Sequence, residues 1–203
     1  LPKGEKNEGP PILDIRQKAA VALALFCGMR RGEIRGLRWG DVDFEHSIIT
    51  VRHNYVKGED KQPKAGSFGR LPIAVELETI LLELRRAAKH IGLDKPDDFA
   101  LMNPSSPTKP VSDVTILRAW QRSMEHIGIS EAERKRRNLV LHGARHRFVT
   151  TLMDAGLSAS ETAKMSRHKQ LSMLDRYGAH LQDETIEKAR SALDVHRKEV
   201  EKE

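Results

Sequence analysis

Six polar side chains, spread over most of the sequence, have the types needed to handle a phosphodiester. They are Arg30 in GMRRGE, Lys64 in PKAGSFGRLPI, His142 and Arg145 in HGARH, His168 in SRHK, and Tyr177, nine residues later, in LDRYGAH. The planar fork of an arginine stays charged and donates two hydrogen bonds to phosphate oxygens, so two of them can clamp one anion. Histidines and a lysine can move or share protons, and a phenol can attack once a base or a cationic setting lowers its pKa from about 10. Together these are the parts of a phosphoryl transfer that uses no metal ion.

Taken singly, each piece has a plainer reading. In GMRRGE, Arg30 or Arg31 can be a surface charge with Glu33 as its ion-pair partner. HGARH opens a helix on which positions three apart share a face, so His142 and Arg145 project together, but a solvated basic face has the same pattern. Lys57, Lys61 and Lys64 all fall on or near one polar hairpin. Only two tyrosines exist, and Tyr55 lies beside a predicted strand in a packing or DNA-facing role.

Order and spacing across the whole chain decide between these readings. The sequence resembles the catalytic domain of the tyrosine recombinases, the phage-integrase family. In that family a G-x-R-x-x-E box, a hairpin lysine, an H-x-x-R-H box, a later His and a final Tyr occur in this order, here over residues 28 to 180. By this resemblance Arg30 and Arg145 are the phosphate-binding arginines, Glu33 supports Arg30, and Tyr177 is the nucleophile. His142 is the candidate base, and His168 donates a hydrogen bond to a non-bridging oxygen. Lys64, eight residues before Pro72, is the general acid, although the family's usual K-T pair is K-A here. The resemblance further implies a 3′-phosphotyrosyl intermediate on double-stranded DNA, no metal and no cofactor. It implies partner protomers in a tetramer, and an N-terminal core-binding domain that is missing from this sequence. Two rivals stay open: a non-catalytic helix-turn-helix-like regulator, suggested by GLSASETAKMSRHKQLSMLDRY, and a type IB topoisomerase-like enzyme. A metal-dependent nuclease is disfavoured because these motifs contain no clustered carboxylates.

Length and composition agree with one domain: 203 residues, 38% hydrophobic, with 35 basic against 29 acidic side chains. The net charge of +6 and pI near 9.5 favour a polyanionic partner without naming it. The single cysteine, Cys27, sits in the apolar run VALALFC and reads as core. No apolar run approaches the roughly 18 residues of a membrane span, and no signal-peptide pattern is present, so a cytoplasmic setting is expected. The start at Leu1 rather than Met is expected of an excised fragment.

The elements that must position these residues follow from pattern. The expected fold is mainly α with a small antiparallel sheet and hairpin, in three segments: a linker over 1–11, the catalytic domain over 12–182, and a C-terminal helix or tail over 183–203, either exchanged between protomers or folded back on its own domain. Periodicity predicts a first helix from Asp14 to Phe26 with Ile15, Ala19, Ala22, Leu25 and Phe26 inward, stopped by Gly28, then a short helix over Arg31 to Leu37. Ser47–His53 and Gly69–Ala74 read as paired strands, with Pro72 on an edge. Helices are expected around Leu77–Ile91, Val114–Ile127 and His142–Ala155. Another opens with a Ser158/Glu161 capping box, and a last one runs over Glu184–His196. Trp39 and Trp120 are expected in the core, ERKRRN (133–138) as a loop that is solvated or tracks phosphates, and Arg31, Arg35 and Arg38 between solvent and DNA.

Overall fold

The computed structural model describes residues 13–61 and 69–167. Helix α1 (Ile15–Cys27) is opened by Asp14, whose carboxylate accepts from the backbone N–H of Arg16 and Gln17 at 2.9 and 3.0 Å, while the Gln17 side chain accepts the Asp14 N–H in return. Gly28 closes it in the left-handed region at φ 56°. The helix is not one-sided as its periodicity predicted. Ala19 to Ala24 and Cys27 are all buried, whereas Phe26 is exposed and Leu25 only partly covered. Four of those seven positions are alanines, and small side chains let α3 (Val75–His90), α4 (Asp113–His126) and α6 (Leu141–Asp154) close around α1 on several sides.

A three-stranded antiparallel sheet covers one side of this bundle, in the order β1 (Val42–Asp43), β2 (Ile48–Val51), β5 (Gly69–Pro72). Alternation sends Ile49, Val51 and Leu71 into the core, with Ile49 opposite Leu71. Pro72 sits on an edge strand, as expected of a residue without an N–H. Strands β3 (Asn54–Val56) and β4 (Glu59–Lys61) form a separate hairpin turned by Lys57 and Gly58, both at positive φ. A further hairpin, β6 (Met102–Asn103) with β7 (Ser106–Pro110), was not anticipated. Its MNPSSPTKP sequence lacks the β-branched run that marks a strand, and the Asn103 side chain stabilises its turn by accepting from the Ser105 N–H.

Short helices α2 (Arg31–Gly36), α5 (Glu131–Arg136) and α7 (Ala159–Ser166) complete the described fold. The basic run ERKRRN is not a loop. Ser130 caps α5, acidic residues occupy its first turn and basic residues its last, and Glu131–Lys135 and Glu133–Arg137 pair at 2.7 and 3.1 Å. The Ser158/Glu161 capping box opens α7 as predicted. Both tryptophans are buried, with Trp39 donating to the Leu93 carbonyl and Trp120 to that of Leu139. No helix among the described residues is long and apolar enough to cross a membrane. The expected helix over Glu184–His196 lies outside the described residues.

Gly28 has a second constraint besides its φ. A Cβ built there would stand 2.5 Å from Cδ1 of the buried Phe148. Gly28→Ala is therefore expected to cost about 2–4 kcal/mol, combining left-handed strain with overpacking, as a lowered midpoint in urea denaturation.

Candidate active site

Arg30 is the N-cap residue of α2, set there because the chain leaves α1 through the Gly28 turn and restarts one turn later. Glu33 holds it twice. The carboxylate accepts the Arg30 backbone N–H at 2.8 Å and pairs with the Arg30 guanidinium at 2.9 Å. Glu33 is 3% exposed and Arg30 41%, so a buried carboxylate steadies a cation whose other side faces solvent. The ion pair read from GMRRGE and the supporting role of Glu33 are thus the same contact.

His142 and Arg145 come from the first turns of α6, which starts at Leu141 after the Trp120–Leu139 tie. Arg145 is 3% exposed and donates to the carbonyls of Gly28 and Ser166, the first at 2.8 Å. These bonds join the turn before α2, the start of α6 and the end of α7. The outcome is one pocket of about 300 Å³ lined by Met29, Arg30, Arg31, Leu117, Val140, Leu141, His142 and Arg145. Arg30, His142 and Arg145, predicted to act together, therefore line one pocket.

The electrostatics of that space favour a neutral imidazole. Burial lowers the pKa of His142 below 6.5, and the charges of His146, Arg145 and Arg30 lower it further. A neutral ring at neutral pH can accept a proton, as a general base must. The unfolded chain takes up this proton at a higher pH than the folded one. Stability therefore falls as pH drops through 6.5, and goes on falling until the folded imidazole is protonated too. In an NMR titration the His142 ring is expected to titrate with a midpoint below 6.5, and Arg30→Gln to raise that midpoint. A midpoint unmoved by Arg30→Gln would separate the two groups.

Sequence reasoning missed Arg167. It caps α7 in the left-handed region at φ 57°, its side chain is fully buried, and its guanidinium pairs with Glu33 at 2.7 Å. Burial pushes the Glu33 carboxyl up, but Arg167 and Arg30 outweigh it and hold the carboxyl below its usual range. The only hint in the sequence was its place beside His168 in SRHK. Nothing local distinguishes a buried arginine from an exposed one.

The other residues singled out in the sequence take the following places. Arg35, expected between solvent and DNA, is largely buried: it donates to the Val111 carbonyl at 2.9 Å, pairs with Asp113 at 3.2 Å and lies over the Tyr55 ring. Arg38 pairs with Asp60 at 2.7 Å and stacks on Phe99. Each has a carboxylate and an aromatic ring within reach, which gives it a structural task. Arg31 pairs with Asp113 at the pocket rim. Tyr55 packs edge-on against Phe99 at 5.7 Å. Cys27 is buried, its thiol pushed up to about 12 by burial against the lowering influence of Arg167. Of the hairpin lysines, Lys57 is in the turn and Lys61 pairs with Glu59 at 2.7 Å. Lys64, His168 and Tyr177 lie outside the described residues.

The sequence pattern of the phage integrase family matches residues 7–184. This chain belongs to that family. Relatives include tyrosine recombinase XerC of Chlorobaculum parvum, 24% identical over 86% of this chain and 48% of that protein. The transposase from transposon Tn916 of Enterococcus faecalis is 24% identical over 79% of this chain and 41% of its own length. Among solved structures, the Tn1549 transposon integrase in complex with circular intermediate DNA has a TM-score of 0.69 at 23% identity, over 88% of this chain and 60% of that one. XerA recombinase has a TM-score of 0.64 at 20% identity, over 88% and 58%. Their likeness establishes the tyrosine-recombinase catalytic-domain fold. The chain spans about half the length of the relatives it matches.

Proposed function

We propose that this chain is the catalytic part of a tyrosine-type site-specific recombinase that cuts and rejoins double-stranded DNA without a metal ion. The observation that carries this reading is the convergence of Arg30, His142 and Arg145, with Glu33 behind Arg30, on one pocket in a phage integrase family member. In the proposed reaction the Tyr177 phenolate oxygen attacks a backbone phosphorus in line. The P–O bond to the 5′ side breaks, a 3′-phosphotyrosyl bond forms, and the departing 5′-oxygen takes a proton. Arg30 and Arg145 stabilise the charge spread over the phosphoryl oxygens, fixed beforehand by Glu33 and by the Gly28 and Ser166 carbonyls. His142 takes the phenol proton, His168 donates to a non-bridging oxygen, and Lys64 protonates the leaving 5′-oxygen. A 5′-hydroxyl from another strand then attacks the phosphotyrosyl bond and reverses each transfer.

Relatives whose names and titles speak of integrase, transposase and DNA complexes support DNA as the substrate. The proposal includes partner protomers, four across two sites, and an upstream DNA-clamping domain. Arg134 and Arg136 in the last turn of α5 are cations suited to a phosphate backbone. A DNA duplex nicked just beyond the cut site, incubated with the chain in excess EDTA, is expected to yield a protein–DNA adduct that survives denaturation, and Tyr177→Phe to yield none. A binding regulator of the helix-turn-helix kind gives no adduct with either protein, and a metal-dependent nuclease gives cleavage that EDTA stops.

A further inference from the structure

Whether Arg30 brings a net positive charge to the pocket depends on Arg167. Arg30 and Glu33 form a close pair at 2.9 Å with zero net charge, so its pull on an anion is that of a dipole, weaker and shorter-ranged than that of a lone cation. Arg167 reaches the other oxygen of the same carboxylate at 2.7 Å from the buried side. The three groups together carry one net positive charge, and Arg30 is the only one of them that faces solvent. Arg30 and Arg167 thus divide Glu33 between them, one outside and one inside.

Holding Arg167 there is costly, which argues against its being filler. Its Nε is buried without a hydrogen-bond partner among the described residues, and its backbone adopts a positive φ that arginine rarely takes. An apolar side chain of similar size would fill the same space without desolvating a guanidinium. The stem also lies against Gly69, the first residue of β5, where a Cβ would stand 2.8 Å from its Cγ and Cδ. The side chain therefore touches the helix bearing Arg30 and the strand that follows the Lys64 segment.

We propose that Arg167 is a positioning residue for phosphate capture: by neutralising Glu33 from the protein side, it leaves Arg30 its positive charge for the incoming anion. This rests on the recombinase reading, but its test does not require strand transfer. Inorganic phosphate is titrated into the folded chain at neutral pH while the NMR signals of the His142 ring report occupancy of the pocket. Arg167→Met is expected to bind phosphate about tenfold more weakly, since it removes the net charge of the trio. Arg167→Met combined with Glu33→Gln restores that charge and is expected to return to within about threefold of the parent chain. A purely structural arginine predicts no such recovery, because the packing defect persists in the double variant. Should Arg167→Met fail to fold, Arg167→Lys against Arg167→Gln makes the same comparison, with the charged variant expected to bind about tenfold more tightly. Equal phosphate affinity in parent and Arg167→Met, in the charged and neutral pair, or in single and double variants overturns the inference alone. A parent chain whose His142 does not respond to phosphate contradicts the proposed function and this inference with it.

Discussion

Arg145→Ala is expected to lose both strand cleavage and stability, by amounts that a conservative change can separate. Its guanidinium ties Gly28 to Ser166 through two carbonyls, and the residue lines the pocket. Removing a fixed cation that stabilises transition-state charge is expected to slow adduct formation by about 10³. Losing two hydrogen bonds from a charged, buried donor is expected to cost about 3 kcal/mol in urea denaturation. Arg145→Lys keeps the charge but cannot span both carbonyls. It is expected to recover about half of the stability while cleavage stays about 10² below the parent, because a point charge does not replace a planar fork. Full cleavage by Arg145→Ala would place the phosphate elsewhere.

Glu33→Ala carries the second large effect. The substitution leaves the fully buried Arg167 without its carboxylate, and among the described residues its remaining hydrogen-bond acceptor is the Met165 carbonyl at 3.4 Å. Breaking a buried pair from one side is expected to cost about 3–5 kcal/mol, a large share of the stability of a domain this size. Glu33→Gln keeps an oxygen acceptor and is expected to cost less than half as much. The exposed Arg31–Asp113 pair serves as the control: Arg31→Ala is expected to change stability by less than about 1 kcal/mol. Chemical denaturation of these variants checks the order, and a Glu33→Ala chain as stable as Arg31→Ala would show the buried network to be without weight.

Elements marked by local chemistry were legible in the sequence. Asp14 and Gly28 delimit α1, IITV forms the central strand, and Ser158 with Glu161 opens α7. The grouping of Arg30, His142 and Arg145 was legible only through their order along the chain, since each motif alone also describes a basic surface. What escaped notice depends on partners distant in sequence. Arg35 and Arg167 are buried because Asp113 and Glu33 meet them after folding, and no periodicity records such a meeting. The alanines of α1 left its inward face ambiguous, as a small side chain suits both a core and a surface. Helix α5 did have a readable signal, a serine cap with acidic residues first and basic residues last, but its lack of apolar positions made it look like a loop.

The most direct measurement of the central claim is to isolate the denaturation-resistant adduct, digest it and identify by mass spectrometry the residue that carries the nucleotide. The sequence offers two tyrosines, and Tyr55 is packed against Phe99 beneath Arg35. The account predicts that the nucleotide is esterified through its 3′-phosphate to Tyr177. Attachment at Tyr55 or at any serine, or cleavage with no covalent species at all, would contradict it.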